Sequence, residues 1–260
     1  MSEHPGEVRM DVDGHVCVIT IDNATKKNAL TPEMVEQLAQ HLTTFDDDDN
    51  LWVVVITAAG DHTTAGLDMP AFFGPEARAR QRPAEWVDPL GLGRRCTKPV
   101  ITAVQGITYT FGVEMMLAGD IVIAADSARF GQVEVKRGIA PFGGAHFRYL
   151  TRTGWGNAMY HLFTGDEFSA HRALEIGLVQ EVVPHGQQRE RALELAHRIT
   201  ESAPLGVRAL KAGALTYVQH GEQAAIEAIP GIRAQVLTSE DFAEGIRSFK
   251  ERRAARFQGR

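Results

Sequence analysis

Two rhythms of hydrophobic and polar positions divide this chain. Val8 to Val12 alternates apolar and polar residues, and Val16 to Ile21 is more continuously apolar. Asp13-Gly14 stands between them, which predicts a β-hairpin. Thr31 followed by Pro32 predicts a helix running towards His41, because Thr can cap the free amides and Pro suits the first helical position. Trp52 to Thr57 is apolar and rich in β-branched residues, as a strand buried on both faces requires. Val100 to Val104 and Ile121 to Ala125 repeat that pattern, with a helix predicted between them over about Gly112 to Ala118, entered through Gln105-Gly106. Strand and helix thus alternate, as in an α/β fold with crossover connections.

The intervening segments read as connections. Asp46 to Asp49 is a run of like charge, expected as a solvated turn. Ala58 to Met69 reads as a loop of small and polar residues, and residues 70–97 as mobile loop and short helix. Beyond Pro141 the rhythm becomes helical. Ser169 caps a helix through Ile176 that Gly177 ends, and Val179 to Val183 is a short strand. Gln187–Glu201, Pro204–His220 and Gly221–Leu237 are amphipathic, and a last helix runs from near Ser239 to about Arg253. Helices that arrive after a sheet is complete suit packing or subunit contact.

Composition narrows the function. The 260 residues are 44% hydrophobic, enough for a large core without a metal or disulfide. A net charge of −6 argues against general affinity for nucleic acid or an anionic membrane. Apolar stretches are strand-sized, so no membrane span is expected. Cys17 and Cys96 have no metal-ligand spacing and are expected to be reduced thiols. The start, Met1-Ser2-Glu3-His4-Pro5, shows no secretion signal pattern. These features predict a soluble, cytoplasmic protein.

Two acids stand where acids are costly. Glu114 lies within Thr110-Phe111-Gly112-Val113-Glu114-Met115-Met116-Leu117, and Glu134 follows Phe130-Gly131-Gln132-Val133. Burial raises a carboxyl pKa and suits it to proton transfer near neutral pH. The competing readings are an exposed helix residue for Glu114 and an ion pair with Lys136 or Arg137 for Glu134. Gly66 and Gly112, taken singly, read as ordinary loop and packing glycines. His62 and His146 have no metal-spaced partner.

Four blocks in order resemble the enoyl-CoA hydratase/isomerase, or crotonase, superfamily. They are Val18 to Leu30, Ala65-Gly66-Leu67-Asp68-Met69, the stretch from Ala103 through Glu114 to Asp120, and Phe130 through Glu134 to Gly144. The resemblance implies a crotonase-like ββα spiral core (residues 1–200) with a C-terminal helical oligomerisation layer (residues 201–260). It implies a homotrimer, or a hexamer built as a dimer of trimers, acting on an acyl-CoA thioester with no metal and no further cofactor. It implies an oxyanion hole of the backbone N–H groups of Leu67 and Phe111, the latter aided by the helix N-terminus. Glu114 would be the water-positioning base and Glu134 the acid in reversible addition of water to a 2-trans-enoyl-CoA. Lys26, Lys27, Ala65, Gly66, Asp68, Gly112, Phe249 and Arg252 would bind the substrate or its CoA moiety, Arg252 often from a neighbouring subunit. Isomerase chemistry and a non-catalytic acyl-CoA-binding protein are the alternatives. The chain departs from the family where Thr108-Tyr109-Thr110-Phe111 replaces a run of glycines, which leaves acyl specificity open.

Overall fold

The computed structural model describes residues 6–75 and 82–260. Part of the stretch expected as loop and short helix, residues 76–81, lies outside them, as do residues 1–5. The predicted hairpin is present as β1 (Glu7–Asp13) and β2 (Val16–Asp22), antiparallel with Val12 opposite Cys17. Helix α1 (Pro32–Asp47) starts where Thr31 accepts from Met34 N. β3 (Val53–Ala58) is buried at every residue. After the short helix α2 (Met69–Phe73) come β4 (Val100–Val104), β5 (Ile107–Tyr109) and α3 (Phe111–Ala118). Then follow β6 (Ile121–Ala125), β7 (Arg129–Gly131) and a 3-10 turn over Glu134–Arg137. The remainder is α4 (Ala145–Thr164), β8 (Phe168–Ser169), α5 (Ala170–Glu175), β9 (Glu181–Val183), α6 (Gln188–Thr200), α7 (Pro204–Leu237) and α8 (Glu240–Glu251).

The main sheet has the order β1-β2-β3-β4-β6-β9, parallel from β2 onwards. One face packs against α1 through Met34, Leu38, Leu42 and Phe45; α6 covers the other through Ala192 and Ala196. A second, small sheet β5-β7-β8 sits beside a core that includes Val113, Phe130, Tyr149 and Phe168. The architecture is therefore the α/β core with a C-terminal helical part that the resemblance implied.

Two expectations need correction. Gln105-Gly106 leads not directly into a helix but into β5. At Gly106 (φ 49°) an added Cβ would lie 2.1 Å from the Asp61 carbonyl oxygen, so the chain leaves the main sheet at a point where only glycine fits. The acidic run is not wholly a solvated turn. Asp46 is a buried residue of α1, and its carboxylate accepts from Thr97 N at 2.7 Å and pairs with Arg94 at 2.9 Å. A buried carboxylate persists when it is paired and hydrogen-bonded in this way. Cys17 and Cys96 are free and buried.

Candidate active site

The site is built by stacking successive coils of chain. Each of two coils uses a long strand of the main sheet, then a short strand of the small one, then a helical turn: β4–β5–α3, followed by β6–β7 and the turn Glu134–Arg137. The coils are in parallel register, Ile101 beside Ile121 and Tyr109 beside Gly131. A bridge adds a third rung, Thr64 beside Thr108. Thr64, Thr108 and Phe130 thus form one ladder. Leu67 and Phe111 stand three residues beyond its first two rungs; Glu114 stands six residues beyond the second and Glu134 four beyond the third. Parallel pairing sets these residues on adjacent coils, and Glu114 lies near enough to Glu134 for its charge to be felt there.

Close backbone approach seats the first two coils together. Gly66 (φ 106°) faces Thr110, and a Cβ there would fall 2.3 Å from the Thr110 Oγ1. A Cβ on Gly112 would fall 2.5 Å from the Thr64 Cγ2. Thr110 itself has φ 46°, and its N–H donates to Gly131 O at 2.9 Å. Leu30 N donates to Gly66 O and Asp68 N to Leu30 O, so the Leu67 N–H faces away from that pairing. Phe111 opens α3, where an amide has no partner inside the helix. Such amides can polarise a carbonyl oxygen. The Phe111 ring turns inward and is buried in the core that includes Ile56, Val100 and Met115.

The carboxylates are buried differently. Glu114 is 5% exposed, and its Oε1 accepts from Gly143 N at 2.6 Å and Ala145 N at 3.2 Å. Burial raises its pKa; those two amides, Arg148 and His146 pull the other way. The Glu134 Oε2 is buried and has no hydrogen-bond partner among the described residues. Burial pushes Glu134 up to about 7, and the nearby charge of Glu114 adds to the rise. The alternative ion pair with Lys136 does not form, because Lys136 reaches Asp166 at 2.6 Å. The arrangement offers one carboxylate held by donors and another poised to carry a proton at neutral pH.

Comparisons with known proteins identify the family. The family model for enoyl-CoA hydratase/isomerase matches residues 11–260. This chain belongs to the enoyl-CoA hydratase/isomerase family. A Mycobacterium tuberculosis relative, enoyl-CoA hydratase EchA19, is 34% identical over 95% of this chain and 94% of that protein. The 2,3-dehydroadipyl-CoA hydratase of Escherichia coli is 30% identical over 94% and 96%. A crystal structure described as a probable enoyl-CoA hydratase/isomerase from Mycobacterium abscessus superposes with a TM-score of 0.93 at 40% identity, covering 97% of this chain and 98% of that one.

The other residues expected to bind substrate in this hydratase/isomerase family member fall into two groups. Lys26 and Lys27 are exposed on a turn pinned to the loop of residues 65–68, Ala65 N donating to Lys27 O at 2.9 Å. Asp68 caps α2, its Oδ1 accepting from Ala71 N at 3.2 Å. Phe249 and Arg252 stand apart. Both are exposed at the end of α8, whose tail packs back where Gln258 N and Gly259 N donate to Asp241. Three neighbours of the glutamates escaped the sequence reading: Gly143, Arg148 and Tyr149. A glycine pair before a helix hints at close approach, but a lone Arg or Tyr near a helix start carries no such signal. Among the described residues no group of three His, Cys, Asp or Glu could hold a metal ion. No described helix is long and apolar enough to cross a membrane.

Proposed function

We propose that this protein is an enoyl-CoA hydratase, adding water reversibly and syn to a 2-trans-enoyl-CoA to give a 3-hydroxyacyl-CoA. The observation that carries the reading is the pair of neighbouring glutamates in unlike surroundings, Glu114 buried and held by two amides, Glu134 half-buried with an unpartnered Oε2, on coils that also bear the Leu67 and Phe111 amides. Attack by water at C3 sends charge onto the thioester oxygen, where the two amides act as donors; each is worth ~3 kcal/mol in the transition state. Glu114 takes the proton as water attacks, and Glu134 delivers one to C2. The two carboxyls titrate as a coupled pair. Nothing is oxidised or reduced overall, so the scheme calls on no redox group, and it assigns activation of water to a carboxylate.

Lys26, Lys27 and the backbone from Ala65 to Asp68 would hold the CoA moiety. Phe249 and Arg252 lie exposed at the end of α8, which suits a contribution to a neighbouring copy's site. A homotrimer, or a dimer of trimers, formed through residues 201–260 is part of the proposal. Exposed Leu210, Tyr217, Ile226, Ile229 and Phe249 on α7 and α8 support it. The two buried, unpaired thiols fit a cytoplasmic setting.

The test is loss of the conjugated thioester absorbance of crotonyl-CoA. Wild type should turn over, and Glu134→Gln and Glu114→Gln should each lower kcat by about 10²–10⁴-fold. Turnover untouched by both substitutions would sink the mechanism. Activity on 3-enoyl-CoA alone would assign isomerisation instead, and binding without turnover would assign an acyl-CoA-binding protein.

A further inference from the structure

A buried cation behind Glu114 has no part in the scheme above. Arg148 is the fourth residue of α4 and is 5% exposed. Among the described residues its hydrogen bonds run to peptide carbonyls. Nη1 donates to Gly143 O at 2.9 Å, and Nη2 donates to Gly91 O at 3.1 Å. Its guanidinium lies 4.9 Å from the centre of the Phe147 ring. Burying a guanidinium against neutral acceptors is costly, and that cost needs a return in geometry or field.

Both returns fall on Glu114. The peptide whose oxygen Arg148 holds joins Gly143 to Gly144. The peptides on either side present the Gly143 and Ala145 N–H groups to Glu114 Oε1. The guanidinium therefore fixes, from behind, the backbone that grips the carboxylate, while its other prong ties that backbone to the turn at Gly91. The positive charge also favours ionised Glu114, and Glu114 in turn favours charged Arg148. Other groups share this neighbourhood. His146 and Tyr149 on α4 and Glu134 on its turn interact with Glu114; Arg95, Asp88 and Arg152 interact with Arg148. On β5, also packed on α3, the Tyr109 phenol is engaged by Glu167.

Resting on the hydratase reading, we propose that Arg148 is a positioning residue, clamping the Gly143–Ala145 backbone and holding Glu114 as the ionised member of the glutamate pair. A role confined to joining two loops would leave the charge unused. Glu134, its Oε2 without a hydrogen bond, is the member left to keep a proton.

Arg148→Met and Arg148→Lys, each checked for native assembly, are assayed on crotonyl-CoA from pH 5 to 9. For Arg148→Met the acid limb of kcat/KM should move to higher pH, with kcat at pH 7 falling at least about tenfold and KM little changed. Arg148→Lys should keep the limb near its wild-type position. Its kcat should still fall, because one ammonium does not reproduce a two-pronged grip. In a Glu114→Gln background, Arg148→Met should add little further loss. An unshifted limb in Arg148→Met, or full additivity with Glu114→Gln, would overturn the proposal. If Arg148→Met does not fold, Arg148→Lys decides alone, and a wild-type kcat there overturns the clamp. A wild-type protein that hydrates nothing at any pH fails differently: it removes the hydratase reading itself.

Discussion

Gly143 has no room for a side chain. A Cβ there would lie 2.4 Å from the Glu114 Oε2 and 2.7 Å from the Leu90 Cδ1. Gly143→Ala should push the carboxylate off its amide donors and lower kcat by about 10²-fold, measured in the crotonyl-CoA assay. Glu134 makes a second prediction, about stability. Its pKa rises from 4.5 in the unfolded chain to about 7 in the fold. Between those values the unfolded chain has released its proton and the folded one still binds it. This residue therefore weakens the fold as pH rises through that window, by roughly 2–3 kcal/mol. Glu134→Gln removes the titration, so its melting temperature should gain on wild type between pH 5 and pH 8. The two glutamates were legible in the sequence because acids among small and apolar residues violate the expected pattern. Arg148 was not, because a basic residue after Ala145-His146-Phe147 looks like a solvated helix position until its carbonyl partners, one of them 57 residues away, are in place.

At the scale of elements, legibility followed length. The hairpin, the Thr31 cap and strands β3, β4 and β6 each carry enough repeats of pattern or a distinct end signal. β5, β7 and β8 have two or three residues each, too few for any period to register, and their pairing is entirely non-local. These short strands set the rungs that align the site, so the part hardest to read locally governs where the readable glutamates go. Asp46 fails for a related reason: its partners, Arg94 and Thr97, lie far along the chain. The break at Gly221, by contrast, was visible as a boundary between two amphipathic stretches. Gly221 has φ 83° and ψ 178° within α7, a conformation open essentially to glycine. Gly221→Ala should cost about 1–3 kcal/mol, read as a lower thermal midpoint, with the spectroscopic signature of the main sheet unchanged.

For the whole molecule, the proposed assembly rests on the apolar exposure along α7 and α8. An apolar groove is lined by Leu210, Gly213, Ile226, Ile229, Ile232 and Val236. A contiguous surface of this kind is uncommon on a free monomer. Leu210→Glu combined with Ile229→Glu should shift the mass seen by light scattering towards a single chain. If Arg252 serves a neighbouring copy, the same double variant should also raise KM for the thioester. The ladder through Thr64, Thr108 and Phe130 bears on how such a protein changes over time. Its rungs are main-chain bonds, which tolerate exchange of most flanking side chains as long as the close approaches at Gly66 and Gly112 stay free of a Cβ. Reaction type and acyl preference can therefore drift by exchanging residues one loop at a time, each new group delivered to the same address by a scaffold that need not be rebuilt.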